Sequence, residues 1–256
     1  MNTPSRQAQP LARAAAQARL RPGRYDAAII DLDGTMVDTL GDFVAAINLM
    51  LADLLPATFS AVKLDAATVD RMVGKGSEHL IESVLNHVQA HAGHASIAIN
   101  SRANYQLAFA SYQRHYATVN GQHSTVYPGV AAGLEGLRNA GLPLVCLTNK
   151  PVGFARSLLK RKGLDGFFAE VFGGDSFERK KPDPLPLRKA CAFLGTAPER
   201  TLMVGDSSND ARAARAAGCP VLLVTYGYNH GEPVRAVDAD GFVDSLAELA
   251  EGETLR

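Results

Sequence analysis

Sulfur is scarce in this 256-residue chain and forms no pattern. Its three cysteines, Cys146, Cys191 and Cys219, are widely spaced, each in an apolar or alanine-rich context. An odd, scattered set of this kind argues against a disulfide framework or a cysteine zinc site. It points instead to buried, reduced thiols in a cytoplasmic protein. No apolar run approaches the roughly 20 residues of a membrane-spanning helix, so no membrane partner is expected. The first 24 residues lack the apolar core of a secretory signal. There is no net charge, because 26 basic residues balance 26 acidic ones. That balance hides an asymmetry: Met1 to Arg24 contain five arginines and no acid, which leaves the rest at a net −5. A mildly acidic body argues against nucleic acid as the main partner. The basic extension, residues 1–24, is expected to be disordered. Walker loop, Ser-His-Asp arrangement and internal repeat are all missing.

What the chain does carry is concentrated at Ile29-Ile30-Asp31-Leu32-Asp33-Gly34-Thr35. An apolar run bounded by a turn signal reads as a buried strand. Ligands of open α/β sheets bind just beyond the carboxyl ends of strands. Asp31 and Asp33 are thus predicted at the mouth of a site, on one side because side chains alternate. Like charges so close are unfavourable unless a cation or a shared proton relieves them. A divalent metal with oxygen ligands is the simplest relief. Taken alone, these residues also fit a strand ending in an ordinary Asp-Gly turn.

The helical spacing of Phe43, Ile47, Leu51, Leu54 and Leu55 predicts a helix that Pro56 stops. Further amphipathic stretches cover 66–73, 77–91 and 102–117, with Gly74-Lys75-Gly76 between the first two and a polar, loop-like segment after His91. Nothing between about 40 and 125 alternates strand with helix. From Val126 the rhythm changes, and strands at 142–147, 169–172, 201–204 and 221–225 alternate with helices. Asp183-Pro184 and Asn209 are read as helix starts, and the capping-box spacing of Ser245 and Glu248 as the start of a final helix. The expected fold is α/β: a Rossmann-like parallel sheet core with helices on both faces, formed by 25–39 and 126–256. An all-helical domain, 40–125, is inserted into it.

Polar clusters stand at the predicted strand ends: Asp31 and Asp33, Thr148 and Asn149, and Asp206 with Asp210; Lys180 and Lys181 precede a helix in the same series. In a parallel sheet these ends share one edge. Carboxylates from two strands can hold a hard cation, and Mg²⁺ suits a site completed by waters and phosphate. A hydroxyl, an amide and a lysine offer hydrogen bonds and charge to phosphoryl oxygens. An aspartate is an effective nucleophile at neutral pH, and a second carboxyl nearby can donate a proton to a leaving oxygen.

Asp31-Leu-Asp-Gly-Thr35, Leu147-Thr148-Asn149, Lys180-Lys181-Pro182-Asp183-Pro184 and Gly205-Asp206-Ser-Ser-Asn-Asp210 follow the order of the haloacid dehalogenase-like phosphatase motifs, and the chain resembles that family from Tyr25 onward. The resemblance implies that Asp31 is the nucleophile and Asp33 the general acid and then base. It assigns Thr148 and Asn149 to the transferring phosphoryl group and Lys181 to its charge, with Lys180 the alternative. Asp206, Asp31 and the Asp33 carbonyl would hold Mg²⁺. Gly34 and Thr35 complete the substrate-binding motif, and Asp210 would order the metal's waters or Lys181. An ordinary first-turn acid explains Asp210 as well.

The helical insert resembles the cap of that family, which excludes water and reads the leaving group. In it, Lys75 and the neighbouring Ser77 could face a small anionic substrate, although a solvated lysine explains Lys75 equally. Gly173-Gly174-Asp175 and Tyr226-Gly227-Tyr228-Asn229 resemble the phosphoglycolate phosphatase subgroup. The implied substrate is therefore 2-phosphoglycolate, and the implied state a monomer or homodimer. The rivals are a sugar-phosphate phosphatase, a β-phosphoglucomutase, and a phosphonate hydrolase using Lys63 or Lys75 as a Schiff base. A non-catalytic phosphate-binding module is a further alternative. His87, His91 and His94 have metal-compatible spacing, though an exposed polar face accounts for them.

Overall fold

The computed structural model describes residues 23–55, 62–91 and 101–250. Most of the basic extension, and His94 with the polar segment around it, lie outside these residues. In chain order the strands are β1 (Ala27–Ile30), β2 (Val37–Asp38), β3 (Thr125–Val126), β4 (Leu144–Leu147), β5 (Glu170–Phe172), β6 (Thr201–Gly205), β7 (Val221–Val224) and β8 (Gly241–Val243). The α-helices are α1 (Leu40–Leu54), α2 (Ala66–Asp70), α3 (Ser77–His91), α4 (Arg102–Val119), α5 (Val130–Asn139), α6 (Val152–Arg161), α7 (Leu185–Leu194) and α8 (Ser208–Ala217).

Six strands form one parallel sheet in the order β5-β4-β1-β6-β7-β8. Numbered along the chain, that is the doubly wound Rossmann order, which reverses between β1 and β6. The strands are apolar without interruption because both faces are covered. Ile30, Cys146, Val204 and Val224 pack on Leu134 and Leu137 of α5 and Leu158 of α6. The alternate residues Ile29, Val145, Met203 and Leu223 pack on Leu187 and Ala190 of α7 and Ala211 and Ala214 of α8. This is the α/β architecture expected from the sequence.

Helices α1, α3 and α4 gather around a third cluster, in which Phe43, Ile47, Ile81, Leu85, Tyr112 and Tyr116 are buried. The Tyr116 ring stacks on Phe43 and Tyr112 with centroids 5.6 and 5.4 Å apart. This helical body leaves and rejoins the sheet through the antiparallel pair β2–β3. Buried Asp42 tightens the crossing by accepting the Gly121 and His123 amides, each at 2.7 Å.

Several sequence expectations are corrected. The pair β2–β3 and strand β8 were not anticipated, because two or three residues are too few to display a period of two. The stretch 66–73 is helical only to Asp70. The N-cap of α8 is Ser207, not Asn209, and its hydroxyl donates to Asp210 at 2.8 Å. The capping box at Ser245 forms, but among the described residues it opens a 3₁₀ turn, Leu246–Leu249, rather than an α-helix.

That turn packs against α5 so closely that a Cβ on Gly133 would lie 2.3 Å from the Leu246 carbonyl oxygen. Alanine is the better helix former by about 1 kcal/mol. Overpacking against backbone costs about 1–3 kcal/mol and should win. Gly133→Ala is therefore expected to destabilise the protein by up to about 2 kcal/mol in urea unfolding, the opposite of what helix propensity alone gives.

Candidate active site

The reversal of strand order opens a crevice beyond β1 and β6, and Asp31 and Asp206 stand one on each side of it. Thr148 and Asn149 leave the end of neighbouring β4. Lys181 arrives from the loop before α7 and is 3% exposed. Its ammonium donates to the Leu147 carbonyl at 2.9 Å and to Asp210 Oδ1 at 2.7 Å. It also lies 2.9 Å from Asp31 Oδ1.

Each acid has a distinct set of partners. Asp206 Oδ2 accepts the Tyr228 amide at 2.6 Å and Oδ1 accepts the Thr35 hydroxyl at 3.2 Å. Asp210 uses one oxygen for Lys181 and the other for the amides of Asp206 and Ser207 and the Ser207 hydroxyl. Asp33 Oδ1 accepts the Thr39 hydroxyl at 2.8 Å and Lys150 Nζ at 2.7 Å. Asp31 Oδ1 is the exception: it is buried and accepts no well-directed hydrogen bond, in spite of its ion-pair distance to Lys181.

Gly34 explains how so much fits. Its φ is +82°, and a Cβ there would fall 2.0 Å from Asp206 Oδ2. Only glycine lets the turn pass beneath that carboxylate. Gly74, with φ +106°, plays a similar part in the helical body, where a Cβ would strike His230 at 2.8 Å. Its carbonyl accepts the side-chain amides of Asn149 and Asn209 at 3.2 and 3.1 Å, which fastens the helical body to the sheet. A second strap joins Lys180 to Glu78 at 2.6 Å.

A cavity lies between these parts. Asp31, Asp33, Thr148, Asn149, Lys181 and Asp206 form its floor, and Phe43, Gly74, Ser77, Tyr112, Tyr116 and Phe154 line the rest. Lys75, expected at the substrate, is exposed and is not part of this lining; Lys63 is exposed as well. Lys180 is committed to Glu78, so Lys181 is the lysine of the floor. Lys150 and Thr39 were not singled out from the sequence, and Tyr228 was named only as part of the motif 226–229, without a role. Lys150 is 6% exposed. The Tyr228 hydroxyl donates to Asp38 and accepts the amides of Thr39 and Leu40, so it pins the start of the helical body. His87 and His91 stack on each other at 4.1 Å on α3, away from the cavity.

Electrostatics favour a cation among these acids. Ligand oxygens of Asp31, Asp206 and Asp210 lie within 4.8 Å of one another. Burial is the main force raising the Asp31 carboxyl, to about 7, and Lys181 only partly offsets it. Burial, then repulsion from Asp210 and Asp31, raises Asp206 well above the carboxylate range. Asp210 is committed to Lys181, to two backbone amides and to the Ser207 hydroxyl, whereas Asp31 Oδ1 has only Lys181 within ion-pair distance. The residues present therefore fit a metal on the Asp31 and Asp206 side, with Asp210 holding Lys181 and the β6–α8 turn.

A parallel sheet in this order, with paired aspartates after its first strand and a lysine–aspartate pair beside them, defines a class of hydrolase. The chain matches the model of haloacid dehalogenase-like hydrolases over residues 25–218 and belongs to that family. Such hydrolases are in general metal-dependent. Among its relatives is the phosphoglycolate phosphatase of Thiobacillus denitrificans, 42% identical over 88% of this chain and 93% of that protein. Another, the "Phosphoglycolate phosphatase, plasmid" of Cupriavidus necator, is 43% identical over 87% of this chain and 90% of that one. The crystal structure of a predicted phosphoglycolate phosphatase from Haemophilus somnus 129PT superposes with a TM-score of 0.81 at 31% identity, covering 88% of this chain and 96% of that one. No helix among the described residues is long and apolar enough to cross a membrane.

With raised carboxyl pKa values, the metal-free folded state binds more protons than the unfolded chain between the ordinary carboxylate range and about pH 7. Stability contributed by this cluster therefore falls as pH rises through that window. In calorimetry, a divalent cation is expected to raise Tm more at pH 8 than at pH 5, because protons compete for the same oxygens. Asp206→Asn should flatten both dependences. An equal cation effect at both pH values would place the ion elsewhere.

Proposed function

We propose that this protein hydrolyses 2-phosphoglycolate to glycolate and phosphate, with Mg²⁺ as its metal. The observation that carries the reading is Asp31: a buried carboxylate at the strand-order reversal, ion-paired with Lys181 at 2.9 Å and lining a cavity that Thr148 and Asn149 also line. The names of its curated relatives supply the substrate.

In this reading an Asp31 oxygen attacks phosphorus and the bond to the glycolate oxygen breaks. Asp33 gives that oxygen its proton. Water then attacks the phosphorus of the aspartyl-phosphate while Asp33 takes the water's proton, and Asp31 is restored as phosphate leaves. Lys181 balances charge on the transferring group, and Thr148 and Asn149 orient it. Mg²⁺, held by Asp31, the Asp33 carbonyl and Asp206, would supply positive charge to the phosphoryl oxygens. The insertion 40–125 acts as a cap domain on the core of 25–39 and 126–256, with Gly34 and Thr35 shaping the phosphate floor. Lys75 is left to the cap's outer surface. Buried free thiols, two of them 3.8 Å apart, suit a reducing cytoplasm. A monomer or a homodimer would serve this chemistry equally.

Phosphate release from a panel of phosphomonoesters, with and without Mg²⁺, tests the reading. 2-Phosphoglycolate should rank among the best substrates by kcat/KM, chelation should abolish turnover, and Asp31→Asn should lower kcat by about 1,000-fold or more. Full activity in Asp31→Asn would refute the mechanism. A poor rank for 2-phosphoglycolate would refute only the substrate.

A further inference from the structure

Building on the 2-phosphoglycolate reading, we infer that Lys150 and Tyr116 form the subsite that binds the leaving group's carboxylate, and so set the preference for a carboxylate-bearing phosphomonoester. Lys150 follows Asn149, yet its side chain is only 3% exposed. It points under the helical body, with Nζ 4.8 Å from the Phe43 ring centre and 4.9 Å from that of Tyr116. An ammonium has three donors. Among the described residues the only acceptor recorded for this one is Asp33, at 2.7 Å. The hydroxyl of that Tyr116 ring is likewise buried and has no hydrogen-bond partner. Tyr116 is 1% exposed, and both residues line the cavity above Asp31.

An under-used buried ammonium and an orphaned buried hydroxyl are costly to maintain unless something satisfies them. The ammonium can only donate and the hydroxyl can donate, so one acceptor satisfies both, and the ammonium favours an anion. Their position identifies which anion. The phosphoryl group belongs at Lys181, on the Asp31 side. Lys150 is bonded to Asp33, the group that meets the leaving oxygen. In 2-phosphoglycolate the carboxylate is one methylene from the carbon-bound leaving oxygen, so the group that reads it must stand beside Asp33. Phe43, Leu80 and Phe154 offer that methylene apolar contact. The other cations near the helical body are elsewhere engaged or exposed: Lys180 pairs with Glu78, and Lys75 faces solvent.

The test compares kcat/KM for 2-phosphoglycolate with that for ethyl phosphate, which lacks the carboxylate, in the wild type, Lys150→Met and Tyr116→Phe. The ratio should fall about 100-fold in Lys150→Met, chiefly through KM, and about 10-fold in Tyr116→Phe. Product inhibition by glycolate should weaken in parallel. Should Lys150→Met fail to fold, as judged by circular dichroism, Tyr116→Phe and glycolate inhibition decide alone. A wild-type preference that persists in the folded variants, with both substrates slowed together, overturns the inference and leaves Lys150 as a support for Asp33. A wild type with no preference for 2-phosphoglycolate overturns the substrate assignment, and the subsite falls with it.

Discussion

Negative charge crowded into a small volume at the β1–β6 reversal is the constraint on which the rest of this structure depends. Asp31, Asp33, Asp206 and Asp210 converge there, and among the described residues only Lys150 and Lys181 pair with them. Four carboxyl groups against two ammonium groups leave the cluster short of positive charge, and burial raises Asp31 and Asp206 toward their neutral forms. A fold with no such function would have replaced these acids with apolar residues, because buried ion clusters are seldom stabilising in themselves. Their convergence at the strand ends, with Asp31 and Asp206 raised chiefly by burial, is a cost that a bound cation would offset.

Most of the surrounding architecture keeps those charges in register. Glycine at 34 leaves room for Asp206, the Tyr228 amide fixes that carboxylate, and Tyr228's ring and hydroxyl reach across to the first turn of the helical body. Asp210 serves as cap, counter-ion and loop anchor at once. The alternation of strand residues between two helical layers makes the sheet stiff enough for side chains from three strands to meet within hydrogen-bonding distance.

Much of this was legible in the sequence, for a physical reason. A carboxylate placed directly after an apolar strand must emerge at the sheet edge, so Asp31, Thr148 and Asp206 could be located from local pattern alone. Lys150 could not. A lysine in a polar loop is by default solvated, and its burial here follows from aromatic faces on α1 and α4, more than 30 residues away along the chain in the nearer case. The relief of paired aspartates was legible only in part. A metal was expected, but the structure also gives each aspartate its own lysine, Lys181 for Asp31 and Lys150 for Asp33. Lys75 misled for the converse reason: a cation in a glycine-rich helix break has the right chemistry but faces outward. Strand β8 and the β2–β3 pair were invisible because their length is set by what they pair with.

The carbonyl of Gly74 accepts from both Asn149 and Asn209, and Asn149 donates through the same nitrogen to the Lys181 carbonyl at 2.8 Å. One amide nitrogen is thus shared between the helical body and the lysine that stands at Asp31. The seating of the helical body on the sheet and the geometry of the charged floor are therefore set by the same side chain, and a disturbance at Gly74 is felt at the backbone of Lys181.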